Sequence, residues 1–406
     1  MSLLNQSQRP TGTHIAILLF AWGAWLFGFH SLMLLSFVIG PIRAQFSPTE
    51  SQLAWLTGAA IGMTGVGGFL FGWISDRLGR KTSILLATLT FAIGNAACAV
   101  APGVAALAAA RGLAGLGIGG TWGGGQALIG ETFPAATRGR YGAIAQTGAP
   151  LGLGLAAILG SFVAPALGWR AVFALSALPA AGLLAMRAVP ESDLWRAHPR
   201  DRSIAQVLAS SEVAPAFVKC FVLTCFNMSN YWLAVVWLPR YLRESRGLTE
   251  SGSGWATLAF VAGAVAGYLS FGIVSDRLGR RVTFTLYSAL MALGLIMFSV
   301  FWPLIAGTPR LVLIFLGVAG FGTGTWSSFG PTFSEIFPTA VRGTAMSVII
   351  NLTRGIQFLA PVVIAAVAPR WGMAGGIVLA AAFAVLAGAW VWTLPETRGR
   401  ALVPTA

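Results

Sequence analysis

The sequence predicts an all-α membrane protein in which twelve transmembrane helices form two pseudo-symmetric six-helix bundles. Its composition is 56% hydrophobic and only 9% charged over 406 residues, whereas about a quarter of the residues of a soluble globular protein are charged. Apolar stretches of about 20 residues recur along the chain, each long enough to cross a ~30 Å hydrocarbon core as a helix. The chain also repeats itself, since GWISDRLGRK (72–81) returns as GIVSDRLGRR (272–281).

Twelve spans follow from this hydropathy pattern. In the first half we place them near 14–38, 53–75, 82–101, 104–130, 140–165 and 170–189. In the second half we place them near 215–239, 253–275, 282–303, 309–334, 342–367 and 372–394. The long polar connection at 190–214 divides the chain, so we expect an amino-terminal bundle at 1–189 and a carboxy-terminal bundle at 215–406.

The basic residues predict the orientation of these spans. Sixteen Lys and Arg fall on segments on the side of the amino terminus, and seven fall on the other side. Since cytoplasmic loops carry the excess of positive charge, we expect a multi-pass protein of the plasma (inner) membrane with both termini in the cytoplasm. The net charge of +14 is spread over short loops between spans, which argues against a nucleic-acid partner.

The repeated landmarks identify a family. ETFPAATRG (131–139) returns as EIFPTAVRG (335–343), in the same order as the first repeat. Parallel repeats of six helices place a binding site between two bundles near the midplane. The doubled S-D-R-x-G-R-[KR] resembles the signature of the major facilitator superfamily, and RGLAGLGIGG (111–120) resembles its fourth-helix pattern. The resemblance implies a transporter that works by alternating access.

The same resemblance implies a conformational latch on the cytoplasmic face. In the family, this charge cluster stabilises the outward-facing state. The matching residues here are Asp76, Arg77, Arg80 and Arg138 in the first half and Asp276, Arg277, Arg280 and Arg342 in the second. The alternative is that these charges serve only to orient the chain in the membrane.

One arginine lies deep in the membrane without an acidic neighbour in sequence. All twelve carboxylates fall in loops or at helix ends, which leaves His30, Arg111 and Arg354 as ionisable groups well inside spans. Arg354 is near the centre of its span, where an arginine costs at least ~2.5–3.5 kcal/mol. A carboxylate substrate would supply the missing anion, bound by the guanidinium fork. The alternative is that backbone carbonyls, Asn351 and water satisfy the cation.

Further residues are predicted to line the site around this arginine. Asn351, Arg354, Gln357 and Phe358 share one side of a helix. NLTRGIQFLAP (351–361) and NYWLAVVWLPRYL (230–242) resemble the organic-acid/proton symporter branches of the family, which include those for aromatic acids and sialate. Geometry and resemblance add Asn227, Asn230, Tyr231 and Trp232, with Trp122, Gln126, Gln146, Trp326 and Ser327 as a second set.

Span 1 departs from those branches. LFGFHSLML carries His30 where they commonly have an aspartate. A histidine titrates near pH 6.5, so His30 is a candidate for proton coupling. The 200-residue shift pairs it with Asn230, which predicts that both lie near the cavity. A structural hydrogen bond and direct substrate contact are the other two interpretations.

These observations predict import of a small organic anion, a monocarboxylate, by proton symport. The expected partners are the anion, protons and the lipid bilayer, with a monomer as the functional unit and no cofactor. Three histidines and edge carboxylates assemble neither a metal site nor a nucleophile–base pair, so no enzyme activity is expected. The alternatives are organic-anion exchange, efflux by antiport, and proton-coupled sugar transport, the last because PETRGRAL (395–402) resembles sugar porters.

Overall fold

Twelve helices follow one another in the predicted order in the computed structural model, which describes residues 10–133, 138–178, 181–182, 189–197, 213–235, 237–337 and 342–397. The first half contains α1 (Gly12–Phe46), α2 (Glu50–Leu78), α3 (Arg80–Ala99), α4 (Val104–Thr132), α5 (Arg138–Gln146, Gly148–Ile158, the π-helical Leu159–Val163 and Ala164–Leu167) and the start of α6 (Trp169–Leu175). The short helix Asp193–Ala197 lies in the linker.

The second half repeats this order. It contains α7 (Ala214–Val235, Leu238–Arg240 and the π-helical Tyr241–Ser245), α8 (Glu250–Leu278), α9 (Arg280–Ser299), α10 (Pro309–Gly322, the 3₁₀ turn Thr323–Thr325 and Trp326–Ile336) and α11 (Arg342–Ile356 and the 3₁₀ turn Gln357–Leu359). The helix Ala360–Trp390 is broken at Gly372 (φ 62°, ψ −176°), so its first part completes α11. The part after Gly372 and the 3₁₀ turn Val391–Thr393 form α12.

Ten stretches of described helix are long and apolar enough to cross a membrane. The two remaining helices are α6 and α11. Part of α6 lies outside the described residues, and the turn Gln357–Leu359 interrupts α11 in the middle of its span. The observed helices extend the predicted spans at several ends, most clearly in α1, which continues eight residues beyond the predicted 38 to Phe46.

The repeated sequence landmarks have structural causes. Thr49 caps α2 by accepting the backbone N–H of Gln52 at 3.2 Å, and Thr249 caps α8 by accepting that of Gly252 at 3.0 Å. Each of these bonds satisfies a helix N–H that has no partner inside the helix. The threonines therefore recur because both halves begin their second helix in the same way.

Glycines allow the helices within each bundle to pack closely. A Cβ at Gly115 of α4 would overlap the Ala60 carbonyl of α2, and a Cβ at Gly320 of α10 would overlap the Phe260 carbonyl of α8. Between the bundles, α2 packs against α11 and α5 packs against α8. We call the membrane face with the α2–α3 and α8–α9 connections the terminal face, and the one with the α1–α2 and α7–α8 connections the opposite face.

Candidate functional site

Arg354 lies in α11 at the contact between the two bundles. Its side chain is buried, with 4% of its surface exposed. One guanidinium N–H points to Asn351 Oδ1 at 3.5 Å, the outer limit of a hydrogen bond. Its Cζ lies 5.4 Å from the ring centroid of Trp25 in α1, a helix of the other bundle. Among the described residues it forms no ion pair.

Asn351 lies where α2 and α11 cross closely. A Cβ at Gly68 of α2 would overlap the Asn351 amide, and a Cβ at Gly65 would come within 2.9 Å of the Gly355 Cα. Because neither glycine has a side chain, the Asn351 side chain can enter the interface between the bundles. The residue that approaches the Arg354 guanidinium is thus held by the opposite bundle.

Gln357 is one turn further along α11 and faces α7. Its Nε2 donates to Ser229 Oγ and to the Thr353 carbonyl, each at 3.3 Å. Both bonds lie within the carboxy-terminal bundle, so Gln357 connects α7 to the helix that carries Arg354. The side chain of Phe358 lies outside the described part of the structure.

The aromatic residues of α7 reach across to α1. The Tyr231 ring lies 6.2 Å from Phe29 of α1 and 5.8 Å from Trp326 of α10, with an edge-to-face geometry at both contacts. Trp232 lies 6.3 Å from Phe29 and donates its indole N–H to Met228 Sδ. A chain of aromatic rings therefore joins the two bundles.

Two predicted amides of α7 keep polar atoms without a partner. Asn227 Oδ1 accepts from the Thr325 hydroxyl at 3.0 Å, which leaves its buried Nδ2 free. Asn230 Oδ1 is also buried, without a partner in the described part of the chain. Buried polar groups are nearly always hydrogen-bonded, so these atoms are available to a substrate or to ordered water.

The second predicted set is distributed over both bundles. Trp122 and Gln146 pair with each other, with the indole Nε1 donating to Oε1 at 2.6 Å. Gln126 donates to the Gly142 carbonyl at 3.3 Å, and Ser327 donates to the Tyr268 carbonyl at 3.1 Å. Each of these polar atoms therefore has a hydrogen-bond partner in its own bundle, whereas Asn227 Nδ2 has none among the described residues.

Trp25 and Phe29 were missed by the sequence reasoning. Their rings lie 5.4 Å apart and nearly edge to face, one turn apart on α1. The spacing of four residues would have placed them on one face of the helix, but nothing in the sequence indicated that this face meets α7 and α11. The structure shows that through these rings the first helix contacts α7 and Arg354.

The structure places His30 inside the amino-terminal bundle. The imidazole is 1% exposed and its Nε2 lies 2.8 Å from Ser176 Oγ of α6, inside the amino-terminal bundle. The Ser176 hydroxyl donates to the Val172 carbonyl, so its oxygen accepts from Nε2–H. The Nδ1 atom then carries the lone pair, and no described residue bonds to it. The paired position in the repeat did not predict the rotation of α1.

The residues of the predicted latch make contacts on the terminal face that the sequence did not predict. Arg80 forms an ion pair with Glu131 at the end of α4, at 3.0 Å. Arg77 is exposed and stacks over Trp73, while Arg277 is exposed. The Arg280 backbone N–H donates to Glu396 at 3.0 Å. Four side chains of the predicted latch lie outside the described part of the structure: Asp76, Arg138, Asp276 and Arg342.

The starts of α3 and α9 are bound by matching carboxylates, which belong to the Pro-Glu dipeptides at the end of each half. Glu191 accepts the backbone N–H groups of Arg80 and Lys81 at 3.1 Å. Glu396 accepts those of Arg280 and Arg281 at 3.0 and 3.1 Å. Each carboxylate therefore lies at the first turn of a helix, where the helix dipole stabilises an anion.

Comparison with known proteins agrees with this architecture. The Major Facilitator Superfamily model matches the chain twice, over residues 14–219 and 220–405. The crystal structure of a D-xylose–proton symporter superposes with a TM-score of 0.75 at 21% identity, over 95% of this chain and 99% of that one. The predicted arrangement of twelve helices in two six-helix bundles is thereby confirmed.

Relatives with named substrates cover most of the chain. A cis,cis-muconate transport protein of Acinetobacter baylyi is 26% identical, and the alignment covers 93% of this chain and 94% of that protein. A gentisate transporter of Corynebacterium glutamicum is 26% identical, with 86% and 80% covered. With the family model matched over both halves and transporters among its relatives, this chain belongs to the Major Facilitator Superfamily of multi-pass membrane transporters.

Proposed function

We propose that the chain imports a small organic anion by proton symport through alternating access, and that the substrate is a monocarboxylate with a flat or apolar body. The observation that carries this proposal is Arg354, a buried cation between the bundles with no ion pair among the described residues. The relatives named for cis,cis-muconate and gentisate, both organic acids, support it.

A carboxylate is the anion that fits this arginine. The guanidinium presents two parallel N–H donors that match the two oxygens of a carboxylate. The aromatic rings of Phe29, Tyr231 and Trp326 offer an apolar surface to the flat or apolar body of the substrate. The substrate charge offsets Arg354, so the loaded carrier changes conformation more readily than the empty, positively charged one.

His30 is the proposed proton acceptor. Its Nδ1 lone pair is free because Nε2–H is engaged with Ser176. Protonation adds a second positive charge to a bundle that already holds Arg111, one of whose N–H groups lies 2.8 Å from the Ser31 carbonyl. The negative charge of the substrate offsets that cost, which couples the proton to the anion. The rival is that the proton travels on the substrate itself.

The orientation and the functional unit complete the proposal. With both termini in the cytoplasm, the terminal face is cytoplasmic and the opposite face is external, in accord with the charge bias of the loops. Two bundles within one chain form the whole translocation path, so a monomer suffices.

Uptake into proteoliposomes tests the proposal. Benzoate, gentisate, nicotinate and D-xylose would be supplied with and without an inward proton gradient, to the wild type and to Arg354→Ala. We expect at least one acid to accumulate, to respond to the gradient, and to lose about 10- to 100-fold in uptake efficiency in the variant, since a hydrogen bond to a charged group contributes about 1.5–3 kcal/mol.

Other outcomes identify the rivals. Acid uptake that depends on Arg354 but is indifferent to the gradient would indicate an exchanger. Uptake of D-xylose, or acid uptake unaffected by Arg354→Ala, would place the site elsewhere and make the arginine structural.

A further inference from the structure

The indole N–H of Trp25 has no partner among the described residues. Its Nε1 is fully buried and forms no hydrogen bond with them, and the residue as a whole is 5% exposed. Two other tryptophans of the same bundle are bonded: Trp22 donates to Thr147 Oγ1 at 3.2 Å and Trp169 to Gln45 Oε1 at 3.0 Å. Leaving a buried donor unsatisfied costs about 1–3 kcal/mol, so this N–H is expected to have a partner in the working cycle.

The Trp25 ring is held in place beside Arg354. The edge-to-face contact with Phe29 fixes one side of the indole. On another side, a Cβ at Gly148 of α5 would lie 3.0 Å from the indole Cδ1, so the glycine lets the ring pack closely against α5. The Arg354 Cζ lies 5.4 Å from the ring centroid. An unpaired donor and an unpaired cation thus meet at the bundle contact, one from each bundle.

We propose that Trp25 is a substrate-binding residue whose Nε1–H donates to the same carboxylate that Arg354 binds. This inference rests on the proposed function, and it assigns the amino-terminal half of the anion site. The Arg354 Cζ lies 5.4 Å from the Trp25 ring centroid, and two N–H donors that each bond one oxygen at about 3 Å can lie up to about 6 Å apart. The anion then bridges the bundles.

This arrangement explains why the donor stays unpaired in the protein alone. Trp25 is carried by α1 and Arg354 by α11, so the two groups move with different bundles during alternating access. A bond from Nε1 to a group of its own bundle would compete with the substrate. The bridged carboxylate instead gains its second bond only when both bundles enclose it, which favours the occluded state of the loaded carrier.

The test is a binding measurement on purified protein in nanodiscs. Benzoate, gentisate and nicotinate would be titrated against the wild type, Trp25→Phe, Trp22→Phe and Arg354→Ala, together with benzamide, a neutral counterpart of benzoate. Phenylalanine keeps the ring beside the guanidinium and removes the N–H. We expect Trp25→Phe to weaken carboxylate binding about 10-fold, with benzamide unchanged. Trp22→Phe, whose N–H is used inside the bundle, controls for the loss of an indole.

The outcomes separate this inference from the proposed function. If the wild type binds an acid and Arg354→Ala abolishes that binding, but Trp25→Phe binds it as tightly as the wild type, the indole is structural and the inference is overturned alone. If no acid binds the wild type, the proposed function fails and the shared anion site fails with it. Unfolding temperatures without ligand report whether Trp25→Phe is folded.

Discussion

Two buried arginines in this protein differ in how their charges are satisfied. Arg111 of α4 donates to the carbonyls of Ser31 at 2.8 Å and Leu32 at 3.0 Å, so it connects α4 to α1 within one bundle. Arg354 has one contact of 3.5 Å with Asn351 and otherwise faces an aromatic ring of the other bundle. The first arginine makes two short bonds within its bundle, whereas the second makes one long bond among the described residues, as the proposed anion site requires.

Conservative lysine substitutions should separate these two roles. Arg111→Lys keeps the charge and loses one of the two carbonyl bonds, so we expect a loss of about 1.5 kcal/mol in stability and acid affinity within about twofold of the wild type. Arg354→Lys loses the fork, so we expect affinity to fall about 10-fold with unchanged stability. Thermal unfolding and ligand titration of both variants measure this. The reverse pattern would assign the ligand to Arg111.

His30→Gln tests proton coupling at a single atom. The glutamine amide can still donate to Ser176 but has no lone pair that takes up a proton near neutral pH. We expect gradient-driven uptake to disappear, while exchange of labelled for unlabelled acid continues at a similar rate. Uptake that still responds to the gradient would mean that the substrate carries the proton and that His30 serves only to join α1 to α6.

At the scale of helices, the Pro-Glu dipeptides are structural elements of both halves. Glu191 binds the first turn of α3 and Glu396 binds the first turn of α9, each through two backbone N–H groups. Gly79, with φ of 107°, and Gly279, with φ of 92°, make the turns before those helices. A Cβ at Gly79 would overlap the Glu191 carboxylate. The glycine of the repeated motif is therefore required both by its backbone conformation and by the carboxylate.

Removing either carboxylate should destabilise the terminal face. We expect Glu191→Ala and Glu396→Ala each to cost about 1–2 kcal/mol, because two helix N–H groups lose a charged acceptor. Asp193→Ala is the matched control, since its ion pair with Arg196 is largely exposed. Unfolding midpoints in detergent measure the difference. A shift no larger than that of the control would show that water replaces the carboxylates at no cost.

The elements were largely predictable from the sequence, and their rotations about their own axes were not. Hydropathy and the 200-residue repeat located the helices and the central position of Arg354. They did not orient α1, because a helix buried on most of its surface has no polar face to fix its rotation. The hydrogen bond of His30 to α6 and the contact of Trp25 with α11 both depend on that rotation.

At the scale of the whole molecule, the pseudo-symmetry extends to the opposite face. Arg43 pairs with Glu50 in the first half, and Arg243 pairs with Glu250, at 3.6 Å, in the second. Two further contacts cross between the bundles. Arg243 donates to the Phe37 carbonyl of α1 at 3.2 Å, and Arg43 lies 3.8 Å from Glu244. The same charges therefore stabilise each half and hold the two bundles together at this face.

Loss of the Arg243 contact should open the opposite face. The Arg243 side chain is 16% exposed, so its charged bond to the Phe37 carbonyl should contribute more than the exposed pair between Arg43 and Glu244. The Glu244 side chain is 42% exposed. We expect Arg243→Ala to raise the fraction of molecules that are open at this face by about 10-fold. Glu244→Gln should raise the same fraction by at most about fivefold. Spin labels at Ser51→Cys and Ser251→Cys, in a background without the native cysteines, measure the separation of the bundles.

Arg246→Ala is the control for this experiment. Arg246 bonds to the Tyr241 hydroxyl at 2.7 Å and to the Ser299 carbonyl, both inside the carboxy-terminal bundle, so its loss should leave the distance distribution unchanged. If Arg243→Ala behaves like this control, the face is held closed by apolar contacts such as that between Phe162 and Trp255. If only Arg243→Ala and Glu244→Gln widen the distribution, and in that order, charged contacts between the bundles set the closed state, and added salt should widen the wild-type distribution as well.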